Sequence, residues 1–219
     1  MAQSACGVIF DMDGVLVDSF AAHLESWRRL AAELRQSLTD QQIGSTFGRT
    51  SRDIIRLLFG VQDAAQIHTL DARKESIYRD LVRGKVPAMP GAVEFVKDCH
   101  SAGMKLAVGS SGPAENVRLV CDEMGVRHQF DAVVTGDDIT RGKPDPEVFL
   151  TASARMGLKP QQCVVIEDAP VGLDAARRAG MECVGLIGAY PREALAAASM
   201  VVASFGELNA QRVARLLNK

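Results

Sequence analysis

The chain has no long apolar run, no paired cysteines and no excess of either charge, and each absence removes a class of protein. No apolar stretch approaches the roughly 18 residues of a membrane span, and the opening MAQSACGVIFD lacks the basic-then-apolar order of a secretory leader. A cytoplasmic protein without a membrane partner is expected. Cys6, Cys99, Cys121, Cys163 and Cys183 are scattered through 219 residues, with no CxxC and no histidine at ligand spacing. Reduced, buried thiols are expected rather than a disulfide framework or a zinc site. With 25 basic against 27 acidic side chains, net −2, there is no electrostatic footprint for nucleic acid. The pairs Arg28-Arg29 and Arg177-Arg178 read as helix-surface charges. Repeats and low-complexity segments are absent too. The 47% hydrophobic content is ample for a sizeable core. The expected partner is therefore a small soluble molecule, and the expected state a monomer or weak dimer.

Short β-branched runs recur at 8–10, 106–108, 132–135, 164–166, 184–187 and 200–202, and between most of them lie segments of helical period, at 92–101, 114–124, 147–156 and 173–179. This alternation predicts an α/β fold with a doubly wound, parallel-sheet, Rossmann-like core. Ligands then bind at the carboxyl ends of the strands. One connection breaks the rhythm. About ninety residues separate Asp13 from the run at 106–108, although a crossover needs only about a dozen. Inside that gap 21–36, 52–59 and 64–82 read as amphipathic helices, and 86–91 as a stiff Pro/Gly linker. The expected organisation is a core of residues 1–17 and 85–219 with a helical cap inserted over 18–84.

The first run ends in Asp11, Met12, Asp13 and Gly14. Two carboxylates in one tight turn cannot both stay ionised without a cation or a shared proton, so the turn reads as a chemical site. Three further motifs follow predicted strands. Gly109-Ser110-Ser111-Gly112 offers small hydroxyls and flexible backbone to an anion, or is a plain Ser/Gly loop. Lys143 stands between Gly142 and Pro144, as a site cation or a surface lysine, with Pro146 suited to begin the next helix. Glu167-Asp168 ends the run at 164–166, as ligands or as acids complementing a helix N-terminus.

Taken together, DMDGVLVDS, GSSG, GKPDPEVF and IEDAPVGLDAARRAGM, in that order over nearly the whole chain, resemble the haloacid dehalogenase superfamily. The resemblance is strongest to the capped branch that includes β-phosphoglucomutase and many sugar-phosphate phosphatases. It implies that Asp11 is a nucleophile forming an aspartyl-phosphate and Asp13 the general acid/base. It implies further that Ser110, with Ser111 beside it, and Lys143 hold the phosphoryl group. Asp11, the Asp13 backbone carbonyl, Glu167 and Asp168 would gather around Mg²⁺. An oxygen-only ligand set suits such a hard cation, and one carboxylate can serve as acid and then base. Asp13 also argues against dehalogenase and phosphonate-cleaving relatives, which lack it. The activity implied is Mg²⁺-dependent hydrolysis of a small phosphorylated metabolite, a sugar phosphate or phosphoglycolate; a phosphomutase of the β-phosphoglucomutase type is the alternative.

Choice of leaving group must reside in the insertion, because the core groups all face the phosphate. His23 and Trp27 share one helix face and match a His and a Trp of β-phosphoglucomutase, or are a packed pair on an amphipathic helix. The stretch Phe47-Gly48-Arg49-Thr50-Ser51-Arg52 resembles the substrate loop of that branch, with Phe47 where the mutase has lysine. Arg49 and Arg52 are expected to bind a substrate phosphate or carboxylate, or to be solvated charges at a helix start.

Overall fold

The computed structural model describes residues 6–46 and 49–218. Strand β1, Gly7–Phe10, leads through a tight turn into four helices, α1 Phe20–Glu33, α2 Asp40–Gly44, α3 Ser51–Phe59 and α4 Ala64–Val82. Strand and helix then alternate: α5 Ala92–Ser101, β2 Lys105–Gly109, α6 Ala114–Glu123, β3 Ala132–Val134, α7 Glu147–Arg155, β4 Cys163–Glu167, α8 Pro170–Arg178, β5 Glu182–Leu186, β6 Met200–Val202 and α9 Ala210–Ala214. The six strands form one all-parallel sheet in the order β3-β2-β1-β4-β5-β6. The order reverses direction at β1, so the crevice beside its carboxyl end is the topological switch point where such sheets bind ligands.

Strand periodicity decides which side chains meet which layer. Val8, Phe10, Leu106, Val108, Val164 and Ile166 point to one face and pack with Phe95, Val117, Val120 and Val213 of α5, α6 and α9. Ile9, Ala107, Cys163 and Val165 point to the other and meet Val148, Phe149, Leu173 and Ala176 of α7 and α8. Burial on both faces explains why the strands read as unbroken apolar runs. Each large side chain sequestered this way contributes roughly 1.5–3 kcal/mol. Cys99, Cys121, Cys163 and Cys183 are buried and unpaired, with Cys6 partly covered.

The helices α1–α4 enclose an apolar cluster of their own, Trp27, Leu30, Ile43, Ile54, Ile55, Ile67, Leu70 and Ile77. Their boundaries follow local chemistry. Asp63 caps α4 by accepting the Gln66 N–H, and Thr50 caps α3 by accepting that of Asp53. Helix α1 stops at Glu33 rather than at 36, because Arg35 adopts a left-handed backbone at φ 55°. Its N–H and that of Gln36 then close on the carbonyls of Ala32 and Ala31, a Schellman stop built without glycine. Arg28 pairs with Asp40, and Arg29 with Glu25, on the exposed side. No helix among the described residues is long and apolar enough to cross a membrane.

Candidate active site

Four strand ends converge on one cavity of about 590 Å³, which Asp11, Asp13, Ser111, Lys143, Glu167 and Asp168 line from the sheet side. Asp11 follows β1 directly and its N–H donates to the Ile166 carbonyl, 3.0 Å. Lys143, from the loop before α7, donates to Asp11 Oδ1 at 2.6 Å and to Glu167 Oε1 at 2.7 Å. All three side chains are less than a tenth exposed. Burial alone would depress the Lys143 ammonium, yet the two carboxylates beside it hold it above its ordinary value.

Asp11, Glu167 and Asp168 each bring a carboxylate oxygen within 4.8 Å of the others. Burial first, then Glu167 and Asp13, push the Asp11 carboxyl up to about 7 in spite of Lys143. Burial, Glu167 and Asp11 raise Asp168 as well. One lysine among three buried acids leaves negative charge uncompensated, and an all-oxygen set of this kind fits a hard divalent cation.

Asp13, only two residues from Asp11, stands in other surroundings. Its Oδ1 is 3.0 Å from Nε2 of His23, on α1. Burial would raise its carboxyl, but His23 and the Ser19 hydroxyl bring it below the usual range. Its side chain lies outside the three-carboxylate cluster. Ser110 is buried and its Oγ accepts the Gly112 N–H at 3.0 Å, while Ser111 reaches the cavity.

The inserted helices roof the same cavity. His23, Trp27 and Arg49 line it, and Trp27 is at the same time buried in the helical cluster. Arg52 is not brought there: its Nε turns to Asp71 of α4, 3.2 Å away, in an exposed pair. The reason is helical geometry, since Arg52 sits in the first turn of α3 on the side facing α4 rather than the sheet. Phe47 and Gly48 lie outside the described residues.

Several contributors escape sequence reasoning. Lys74 Nζ is 2.7 Å from His23 Nδ1 and 2.9 Å from Glu75 Oε1. Glu75 also accepts from Ser51 at 2.6 Å and from Asn116 of α6 at 2.6 Å. A signal exists: Lys74 occupies the apolar stripe of Ile67, Leu70 and Ile77, where an ionisable side chain is out of place. Gly14 and Gly172 matter as absences of a side chain, for a Cβ at either would collide with the carboxylate of Asp168 or of Glu167.

The doubly wound α/β sheet carries a buried lysine–carboxylate centre at its switch point, where such sheets bind ligands. The sequence profile of haloacid dehalogenase-like hydrolases matches residues 8–186, and the chain belongs to that family. It is an enzyme of the phosphatase and phosphomutase branch. A fructose-1-phosphate phosphatase of Escherichia coli is 35% identical over 84% of this chain and 97% of its own. The validoxylamine A 7'-phosphate phosphatase of Streptomyces hygroscopicus subsp. limoneus is 31% identical over 91% and 94%. Among solved structures, a crystal structure of β-phosphoglucomutase from Clostridium difficile superposes with a TM-score of 0.85, at 27% identity, over 98% of this chain and 97% of that one.

Proposed function

We propose that the chain is a Mg²⁺-dependent phosphomonoester hydrolase acting on a small phosphorylated metabolite, of the sugar phosphate or phosphoglycolate class, through an aspartyl-phosphate on Asp11. The observation that carries the reading is the division of labour between two aspartates two residues apart. Asp11 is held by Lys143 inside the acid cluster, and Asp13 is turned to His23 on the inserted helices. This arrangement supports Asp11 as nucleophile and Asp13 as proton carrier.

Asp11, Glu167 and Asp168, with the backbone carbonyl of Asp13, would hold Mg²⁺. When bound, the ion neutralises buried carboxylate charge and draws negative charge from the phosphoryl group. Lys143 supplies fixed positive charge for the transferring oxygens, and Ser110 and Ser111 supply hydroxyl donors. With that repulsion relieved, Asp11 is ionised and its carboxylate attacks phosphorus. Asp13, ionised beside His23 at rest, first takes up a proton as the anionic substrate enters, delivers it to the departing alkoxide, and then accepts one from the water that hydrolyses the acyl phosphate. Residues 18–84 act as a cap that roofs the cavity during transfer and opens for exchange.

The names of the relatives support a phosphorylated carbohydrate as substrate. The likeness to β-phosphoglucomutase over nearly the full chain supports the second reading, return of the phosphoryl group to a sugar hydroxyl. Product analysis separates them. With β-glucose 1-phosphate and a bisphosphate primer, hydrolysis yields inorganic phosphate, and glucose 6-phosphate as main product would establish the mutase instead.

A further inference from the structure

We propose that Glu75 determines specificity in the cavity: its buried carboxylate accepts a hydroxyl of an uncharged, polyhydroxylated leaving group and excludes leaving groups that carry a second phosphate or a carboxylate. The inference rests on the phosphomonoester reading above and narrows its substrate class to the sugar phosphates, against phosphoglycolate.

Satisfiability is the first ground. Glu75 lines the cavity yet is only 5% exposed. Its Oε1 accepts from Ser51 and Lys74, and its Oε2 from Asn116. A carboxylate has about four acceptor positions, so one remains. Lys74 has three donors and gives one to Nδ1 of His23 and one to Glu75. A single acceptor and a single donor therefore stand side by side, the complement of a hydroxyl or a vicinal diol. The place is right as well, because Asp13, His23, Lys74 and Glu75 follow one another in contact. A leaving group protonated by Asp13 would present its neighbouring carbons to this pair.

Charge is the second ground. Lys143 is committed to Asp11 and Glu167, and Lys74 to Glu75, so neither buried lysine among the described residues is left as surplus positive charge for another anion. Arg49 also lines the cavity, but as an exposed side chain whose charge water screens. A second phosphate seated against Glu75 would meet a like charge where water cannot screen it, and burying such a pair is what excludes wrong partners at interfaces. Burial would raise the Glu75 carboxyl, but Lys74 and the Ser51 hydroxyl bring it below the usual range and keep it anionic.

The test compares kcat/KM for release of the C1 phosphate from fructose 1-phosphate and from fructose 1,6-bisphosphate, with glycerol 3-phosphate, glucose 6-phosphate and phosphoglycolate alongside. Wild type should favour the esters with neutral leaving groups by about tenfold or more. Glu75→Gln should collapse that preference towards unity, and Glu75→Asp, which keeps the charge, should retain it. Equal or better use of the bisphosphate or of phosphoglycolate by wild type overturns the proposal without needing any variant to fold. So does a Glu75→Gln enzyme impaired in proportion on every ester, which would make Glu75 a structural tie between α4 and α6. If wild type releases phosphate from none of these esters nor from p-nitrophenyl phosphate, the phosphatase reading itself fails, and this one with it.

Discussion

Nζ of Lys74 lies 2.7 Å from Nδ1 of His23, and that contact settles the histidine's tautomer. An ammonium group only donates, so Nδ1 accepts and the ring proton sits on Nε2, facing Asp13 at 3.0 Å. Tyr78 stacks on the ring at 4.1 Å and keeps it from turning. Lys74, on α4, thereby orients the group that holds the proposed proton carrier, in the turn after β1.

Lys74→Met should remove this alignment and leave Glu75 buried without its cation. Breaking a buried pair from one side costs about 3–5 kcal/mol, so the urea midpoint should fall clearly. Turnover of alkyl phosphates should fall with it. A variant as stable as wild type would show that the Lys74–Glu75 contact carries no net stabilisation.

Asp11→Asn keeps the side-chain volume and loses the anionic nucleophile. Turnover should drop below ~1% of wild type, as loss of a covalent nucleophile costs several orders of magnitude, while the far-ultraviolet circular dichroism stays the same. Higher residual activity would remove Asp11 from the nucleophile's role.

Chelation by EDTA should abolish phosphate release, and added Mg²⁺ should restore it. Asp11, Glu167 and Asp168 would otherwise retain uncompensated negative charge against an anionic substrate. Full activity in excess chelator, unchanged by Mg²⁺, would contradict the proposed ion.

Gly172→Ala tests the glycine in the first turns of α8, where a methyl group would strike the Glu167 carboxylate. Displaced, Glu167 would lose Lys143 and the Ala169 N–H that now meet it at 2.7 Å each. We expect kcat/KM to fall about tenfold to a hundredfold, with a higher Mg²⁺ concentration for half-maximal rate. An unaltered Mg²⁺ dependence would mean that Glu167 does not take part.

Arg52→Ala should leave the ranking of substrates unchanged, since Arg52 faces Asp71 outside the cavity. The exposed pair should shift stability by no more than about 1 kcal/mol. Selective loss of activity on doubly anionic esters would reinstate Arg52 as a substrate ligand.

The sequence by itself determined the layered core and the residues at its strand ends. Runs such as 164–166 are apolar on both faces, and Asp11, Ser110 and Glu167 lie at or just beyond strand ends, so position along the chain is position in the site. Local chemistry was enough there. It was insufficient for α2 and α9, five residues each, which are too short to display a period. It was insufficient again for the roof of the cavity. Which side of α3 and α4 faces the sheet depends on how Trp27, Ile54, Ile55 and Ile77 pack together, and that packing turned Arg52 outward to Asp71 and carried Lys74 and Glu75 inward. Only the tertiary structure could bring Asn116 of α6 onto Glu75 of α4, forty-one residues away, because no periodicity within either helix encodes the meeting of the two.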